Sequence, residues 1–300
     1  MTRKREDWSR FSDLPTEAAS ARSVDLELAS TREVVRLVVD QEHEVHESAR
    51  LVVDAITRAA ELTADALRAG GRIIYVGAGT SGRIGALDAA ELPPTFGIAP
   101  DRAVAIIAGG SRALSRSVEG AEDRGPTAVR RLQRLGVGPA DVVCGIAASG
   151  VTPFARAALQ YARERGCRTV FVTCNAAADV QCDVLVAPSV GPELLPGSTR
   201  LKGGSVTKLV LNAISTAAMT RLGKVYRGRM VDVVASNEKL RARALRIVME
   251  LTALDEKRSR ALLRRAKGRC KLALAIHLTG ASVTEAARRL AEAEGDLRQL

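Results

Sequence analysis

The sequence predicts an α/β architecture in which a parallel sheet is covered by helices on both faces. Three observations carry this: short β-branched runs recur through the middle of the chain, helical patterns lie between them, and hydroxyl-bearing glycine turns follow the first and third runs. Residues 31–69 contain no proline and place Val34, Val35, Leu37, Val38, Val45, Leu51, Val52, Ala55 and Ile56 at roughly helical spacing, which predicts two helices. Strands are predicted over 72–76, 103–107, 141–146, 169–173 and 184–187. Helices are predicted from about Ile84, over 125–135 with Gly136 as the stop, and over 153–165 with Gly166 as the stop. A long proline-free apolar pattern over 199–222 reads as one further helix. Beyond Asp232 the pattern is wholly helical, over 236–251, 255–266, 271–278 and 282–294, and Ser282-Val283-Thr284-Glu285 has the form of a capping box. The expected division is an N-terminal arm with helices over 1–60, an α/β domain over 61–232, and a small all-helical C-terminal subdomain over 233–300.

Composition narrows the function classes. Of the 300 residues 46% are hydrophobic, enough for a sizeable core, and no apolar run approaches the 18 or so residues of a membrane span. The start, "MTRKREDWSRFSD", is polar and lacks the apolar stretch of a signal peptide, so a cytoplasmic protein without membrane contact is expected. The five cysteines are widely spaced with no C-x-x-C pair and read as free, mostly buried thiols rather than disulfides or zinc ligands. The net charge of +11 comes from arginines dispersed among acids, and aromatic residues make up only 3% of the chain, which argues against nucleic acid. The charge reads instead as solvated faces that also attract anionic substrates. His43 and His46, three apart among Glu42, Glu44 and Glu47, read as surface histidines; no metal site is expected.

The chemistry concentrates in three loops. "GAGTSGR", residues 77–83, joins an apolar strand to a helix. Such a turn aims backbone N–H groups and hydroxyls at one spot where the helix dipole favours an anion, although glycines there also serve simply to turn the chain. As a dinucleotide fingerprint it is poor, because Glu91 precedes Pro93-Pro94 instead of ending a second strand, and no Gly-Lys-[Ser/Thr] of a P-loop is present. "AASGVTP", 147–153, repeats the arrangement after the third strand, and "GSTRLK", 197–202, again leads into a helix and adds two cations. Three hydroxyl-bearing helix starts suit a phosphorylated, hydroxyl-rich ligand better than a nucleotide, which also needs a slot for its base.

The pairing of GAGTSGR with AASGVTP resembles the sugar-isomerase (SIS) domain. The longer strings "LDAAELPPTFG" (87–97), "AGG" with "SVEGAEDRG" (108–110, 117–125), "GPELLPGSTRLKGGSVTK" (191–208) and "GKVYRGRMVDV" (223–233) resemble, in collinear order, the N-acetylmuramic acid 6-phosphate etherases. The resemblance implies a SIS-type parallel sheet flanked by helices, a flavodoxin-like three-layer sandwich. It also implies a cytoplasmic, homodimeric lyase of peptidoglycan amino-sugar recycling, without metal or other cofactor. The reaction implied cleaves the D-lactyl ether of N-acetylmuramic acid 6-phosphate to N-acetylglucosamine 6-phosphate and D-lactate.

That chemistry suits the residue types. Once the sugar ring opens, the C1 aldehyde acidifies the C2 proton, lactate leaves from C3 by elimination, and water adds to the double bond. A base, an acid and a group that directs water are needed, and two carboxyls with different protonation states can share the work. By the family match the catalytic pair is Glu91 and Glu122. The apolar stretch Leu92–Phe96 is expected to desolvate Glu91, raise its pKa and keep it protonated as the acid, leaving Glu122 as the base or water-directing residue. Phosphate binding is assigned to Thr80, Ser81, Ser149 and Thr152, with Gly79 and Gly150 giving close backbone approach. Ser198, Thr199 and Lys202 either face substrate or tie the loop to a dimer partner; Glu193 either contacts sugar hydroxyls or holds the loop base. Lys208 and Lys224 read as helix-surface charges.

Two further readings are weighed. An isomerase on this fold wants a histidine for ring opening, and His43, His46 and His277 all lie outside the α/β loops. A non-catalytic phosphosugar-binding regulator, like the glucokinase regulatory protein, needs the loops but no acid–base pair, so the presence of both Glu91 and Glu122 favours the enzyme. The chain departs from the family pattern after Thr16-Glu17, where Ala18-Ala19-Ser20-Ala21 replaces an expected Arg-Asn pair, with altered substrate affinity the consequence if that arm closes the site.

Overall fold

The computed structural model describes residues 14–23, 25–233 and 237–300. Its described residues divide into two compact units: those up to Asp88 together with Val104–Ile214, and Ala89–Ala103 together with Ser215–Leu300.

The first unit opens with three helices, α1 (Thr31–Asp40), α2 (Glu42–Arg50) and α3 (Val53–Arg68), where the periodicity predicted two. The interruptions fall at Gln41 and at Leu51-Val52, short breaks that keep the apolar period running and so leave little trace in the sequence. Ser30 caps α1 in a complete capping box with Glu33, a signal not picked out from the sequence. The strands follow as β1 (Ile73–Gly77), β2 (Ala103–Ile107), β3 (Val142–Ile146), β4 (Arg168–Val172) and β5 (Val184–Val186), all within one or two residues of their predicted bounds. Between them run α4 (Gly79–Phe96), α5 (Gly125–Leu135) and α6 (Pro153–Glu164), and α7 (Lys202–Arg221) comes after β5.

The sheet order is β2-β1-β3-β4-β5, with β1, β3, β4 and β5 paired in parallel. Every residue of β1 and β3 is buried, as strands covered on both faces must be. On one face Ile74, Val76, Val143 and Phe171 pack with Leu132 of α5 and Phe154 and Leu159 of α6. On the other lie α3 and α4, and α4 approaches closely because glycines remove the side chains between them. A Cβ on Gly82 would stand 2.6 Å from the Gly77 carbonyl oxygen and 2.6 Å from Ile107 Cγ1; one on Gly85 would stand 2.9 Å from Tyr75 Cβ. At the opposite end of the strands, Asp141 accepts from the Arg72 backbone N–H at 2.9 Å and from its guanidinium, joining the starts of β1 and β3. Burial pushes the Asp141 carboxyl up, but the bonds and charge of Arg72 and the Gly138 N–H outweigh it and leave it low.

Pro93 and Pro94 do not end α4, which runs on to Phe96. Each proline removes one helical donor and costs stability in a helix interior. The helix persists with Leu92 and Phe96 buried, and Gly97 closes it with a left-handed φ of 65° and an N–H bond to Pro93.

The second unit contains a two-stranded hairpin, β6 (Val225–Tyr226) and β7 (Arg229–Met230), absent from the sequence reading; its turn, Arg227-Gly228, has both residues at positive φ. Then come α8 (Glu238–Thr252), α9 (Glu256–Arg265), α10 (Cys270–Thr279) and α11 (Val283–Glu292), packed around Ile247, Val248, Leu272, Leu274 and Leu290. Asn237 and Asp255 cap α8 and α9; Ser236, where the first of these helices was expected to start, lies outside the described residues. At α11 only half of the expected capping box forms. Ser282 accepts from Glu285 N–H at 3.2 Å, while the Glu285 carboxylate turns to Arg288 and Arg289, because a charge-assisted bond to arginine outcompetes one to a backbone N–H.

The close approach at Gly82 makes a stability prediction. Gly82→Ala will lower the urea midpoint, by about 1–3 kcal/mol or more in free energy, since backbone and Ile107 must move. Gly138→Ala, whose added Cβ meets nothing within 4 Å, will leave the midpoint unchanged or raise it. Equal midpoints for the two variants would contradict the packing account.

Candidate functional site

In open α/β sheets the ligand lies beyond the carboxyl ends of the strands where the strand order reverses, here between β1 and β3. Both glycine loops leave the sheet at that point. After β1, Gly79 stands at φ 51° with no atom within 4 Å of where a Cβ would be, so its backbone faces open space, and Thr80 and Ser81 fill the first turn of α4. Gly77 and Gly82 in the same string serve the packing of helix on strand.

After β3, the segment Ala147–Thr152 is braced from the end of β4. Thr173 Oγ1 donates to the Ala148 carbonyl at 3.1 Å, and Asn175 Nδ2 donates to the Ser149 carbonyl at 3.1 Å. Gly150, at φ 80°, would carry its Cβ 2.7 Å from Ala178 Cβ, so glycine is required there by the loop's own packing and not only by a ligand's approach. Thr152 occupies the N-cap position of α6 without a side-chain cap bond, which leaves its hydroxyl unspent on the helix.

The third loop is fastened by a buried acid. Glu193, 1% exposed, accepts from the N–H groups of Lys202 at 3.0 Å and Gly203 at 2.8 Å, one on each carboxylate oxygen, and so caps α7. Burial pushes its carboxyl up despite those bonds. These bonds fasten Glu193 to the base of the loop. Lys202, 2% exposed, pairs with Glu44 of α2, which also takes Arg22 at 2.7 Å. Burial acts to raise the Glu44 carboxyl, but the bonds and charges of Lys202 and Arg22 prevail and hold it low. The Lys202 charge is thus met by an acid of its own chain. Ser205 Oγ donates to Glu42 at 3.2 Å and Gly197 N–H to the Thr16 carbonyl at 2.8 Å, so the N-terminal segment grips this loop at three places. Ser198 and Thr199 lie half-buried just ahead of α7.

The three helix starts converge. A Cβ on Gly203 would stand 3.7 Å from Ala148 Cβ, and one on Gly204 would stand 3.5 Å from Thr80 Cγ2. Glu122 joins them through its backbone: its carbonyl accepts the Phe154 N–H in the first turn of α6 at 2.9 Å, pinning Glu122 beside the Ser149–Thr152 loop. Its side chain faces solvent, but protein crowding on one side pushes the carboxyl up, with Asp123 and Glu119 adding to the shift.

Glu91 belongs to the second unit and is exposed. Leu92 and Phe96 turn into the protein while Glu91 turns out, since they lie on different sides of the same helix, so the expected desolvation of Glu91 by its apolar neighbours does not occur.

Several supporting residues were not read from the sequence. Thr173 and Asn175 brace the second loop, and the polar Thr-Cys-Asn triplet ending a buried strand was their signal. Asp88 accepts from Tyr75 Oη at 2.7 Å and Asn212 Nδ2 at 2.8 Å, tying β1, α4 and α7 together. A tyrosine inside a fully buried strand must find such a partner, and burial first, then Asp88, pushes its hydroxyl pKa well up. Arg83 donates to the Ala113 carbonyl at 2.9 Å and holds the turn after β2. Lys224, expected as a surface charge, pairs with Asp232 at 3.0 Å. The cysteines are free, four of the five are buried, and burial pushes all five thiols up, so none is a poised nucleophile. Among the described residues no group of three or more His, Cys, Asp and Glu side chains is placed to hold a metal ion.

With this geometry in place, comparison with known proteins is informative. Residues 54–163 match the family described as the glucokinase regulatory protein N-terminal SIS domain. The structure of a phosphoheptose isomerase from Francisella tularensis shares the fold with a TM-score of 0.50 and 16% identity, over 64% of this chain and 100% of that one. The N-acetylmuramic acid 6-phosphate etherase of Salinibacter ruber is 46% identical over 294 residues, covering 97% of this chain and 94% of its own. That of Yersinia pestis is 45% identical over 287 residues, covering 95% and 97%. Identity of this extent, over nearly the whole of both chains, places this protein in the N-acetylmuramic acid 6-phosphate etherase family.

Proposed function

We propose that this chain is a lyase that cleaves the D-lactyl ether of N-acetylmuramic acid 6-phosphate, giving N-acetylglucosamine 6-phosphate and D-lactate, in the recycling of cell-wall amino sugars. The observation that carries the reading is a carboxyl of raised pKa, Glu122, pinned by its own backbone to a loop of hydroxyls at a sheet switch point. The near full-length similarity to proteins named as etherases supports it.

In this reading Thr80, Ser81, Ser149 and Thr152 hold the phosphate with the backbone N–H groups of α4 and α6, and Gly79 lets the ligand approach the backbone. Glu193 and Lys202 shape the third loop, while Ser198 and Thr199 offer it hydroxyls. With the sugar in its open form, a base takes the C2 proton, the electron pair forms the C2–C3 double bond, and the C3–O bond breaks onto lactate. The acid protonates the departing alkoxide; water then adds its oxygen to C3 and a proton returns to C2. Glu91 and Glu122 share these steps, their pairing resting on the family match of both motifs. A base needs to be ionised near the working pH, and a carboxyl shifted upward is a stronger base, so Glu122 is assigned to the C2 proton and to water. Glu91 is the remaining donor.

The three-part division 1–60, 61–232 and 233–300 is retained as a functional one: arm, phosphosugar domain and C-terminal subdomain. A homodimer is part of the proposal. Leu51 is 88% and Val39 63% exposed, and α1 buries none of its residues, which leaves an apolar face for a second copy to cover. Light scattering will give twice the chain mass; a monomer at working concentration would remove this element. No helix among the described residues is long and apolar enough to cross a membrane, and a cytoplasmic location is proposed with the function.

Lactate release by the purified protein tests the reading. Glu91→Gln and Glu122→Gln will each lower kcat by about 100-fold or more while phosphosugar binding persists, as expected for lost acid–base groups. Glu122 must lose its proton to act as base, so the acidic limb of kcat/KM will lie above the ordinary glutamate range. Asp123→Asn, by removing a neighbouring negative charge, will move that limb to lower pH. Bound phosphosugar with no lactate released would favour the regulator, a reading that the match of residues 54–163 keeps in view.

A further inference from the structure

The second unit carries a solvent-open pocket of about 700 Å³, built wholly from its own residues and bordered by the end of the hairpin, the α9–α10 turn and α11. Its polar wall is unusual in charge. Lys224, Lys267, Arg269 and Lys271 line it against two carboxylates, Asp232 and Glu294, an excess of two positive charges. At its inner side one oxygen of Asp232 serves two ammonium groups, Lys224 at 3.0 Å and Lys271 in closer contact. Lys271 is only 7% exposed, so a charged side chain is held inside the unit, sharing Asp232 with Lys224 and drawing further attraction from Asp296. Desolvation depresses its pKa first, and the charge of Lys224 adds to that while Asp232 opposes it. A second negative charge entering the cavity would relieve the imbalance, since removing charges from water is costly unless they are paired.

At the rim, Lys267 and Arg269 are exposed, and neither has an ion-pair partner among the described residues. Between them Gly268, at φ 77°, turns the chain into α10, whose N-terminus receives no side-chain cap and so adds its dipole to the same side. Val231, Val233 and Leu290 supply apolar lining, and the volume exceeds what a bare inorganic anion fills.

We propose that this pocket is a second anion site, taking a phosphate group, either free or as the phosphomonoester of a small metabolite whose body lies on the apolar lining. It shares no residue with the three-loop site of the first unit. Two positive charges in excess match a dianion, and the pocket has room for a small molecule beyond the anion itself. The site offers a position for an effector or product.

The test counts sites on the full chain by calorimetry and equilibrium dialysis, with inorganic phosphate and N-acetylglucosamine 6-phosphate as probes. The unmodified protein will bind two equivalents of at least one probe. Lys267→Ala with Arg269→Ala, both at exposed positions, will weaken one of the two sites at least tenfold. Thr80→Val with Ser149→Ala will weaken only the other. Lys271→Met will also abolish the first of these sites, with circular dichroism used to check that the unit remains folded. Two equivalents of phosphate alone identify a free-phosphate site; two of the phosphosugar identify a phosphomonoester site. A single equivalent of each probe, lost entirely with Thr80→Val and Ser149→Ala, would overturn the proposal, as would a second site indifferent to the loss of Lys267 and Arg269.

Discussion

The contact on which the site depends is the bare approach of α4 to the sheet. At Gly77, Gly82 and Gly85 no side chain separates helix from strand, and a single methyl on Gly82 would meet the Gly77 carbonyl at 2.6 Å. That closeness fixes where the first turn of α4 ends up, directly beyond the last residue of β1. The same device repeats at α7, where Gly203 and Gly204 let the helix start lie against Ala148 and Thr80. Glycine here is a spacer between elements more than a hinge, and the spacing brings three sets of backbone N–H groups and hydroxyls to one edge of the sheet.

Buried charge divides the remaining work. Glu193 and Lys202 are almost wholly buried, and both are answered within the fold, Glu193 by the N-terminus of α7 and Lys202 by Glu44. A buried charge without such partners would be too costly to keep. Glu122 is held differently, through its backbone alone, so its carboxyl stays available while partial burial, and after it the neighbouring acids, raise its pKa. Architecture therefore consumes some acids of the conspicuous strings and leaves others for chemistry, and their positions in the sequence do not tell the two uses apart.

The strands were legible because buried parallel strands are short β-branched runs bounded by turns, and the glycine loops because a strand, a turn and a helix follow one another within a dozen residues. Helix ends at Gly136 and Gly166 were legible for the same local reason. What escaped depends on the third dimension. The break at Gln41 leaves the apolar period intact, and nothing local shows that α4 runs through Pro93-Pro94 to Phe96 with Leu92 and Phe96 buried. Burial was expected at Glu91 from its apolar neighbours, but adjacent residues on a helix face different ways, and Glu91 faces out. The Lys202–Glu44 pair spans 158 positions, and no local pattern announces a contact of that range. The family resemblance reached further than local pattern, because it rested on several strings in order along the whole chain.

The central claim is that lactate leaves by elimination and that water enters afterwards at C3. Mass analysis of the products formed by this protein from N-acetylmuramic acid 6-phosphate in deuterated, ¹⁸O-labelled water tests it most directly. The account predicts one ¹⁸O at C3 of the N-acetylglucosamine 6-phosphate, read apart from exchange of the C1 aldehyde oxygen with water, together with one non-exchanging deuterium at C2, and no ¹⁸O in the ether oxygen carried off by lactate. Label in that lactate oxygen, or a sugar product without deuterium at C2, would contradict elimination and with it the roles given to Glu91 and Glu122.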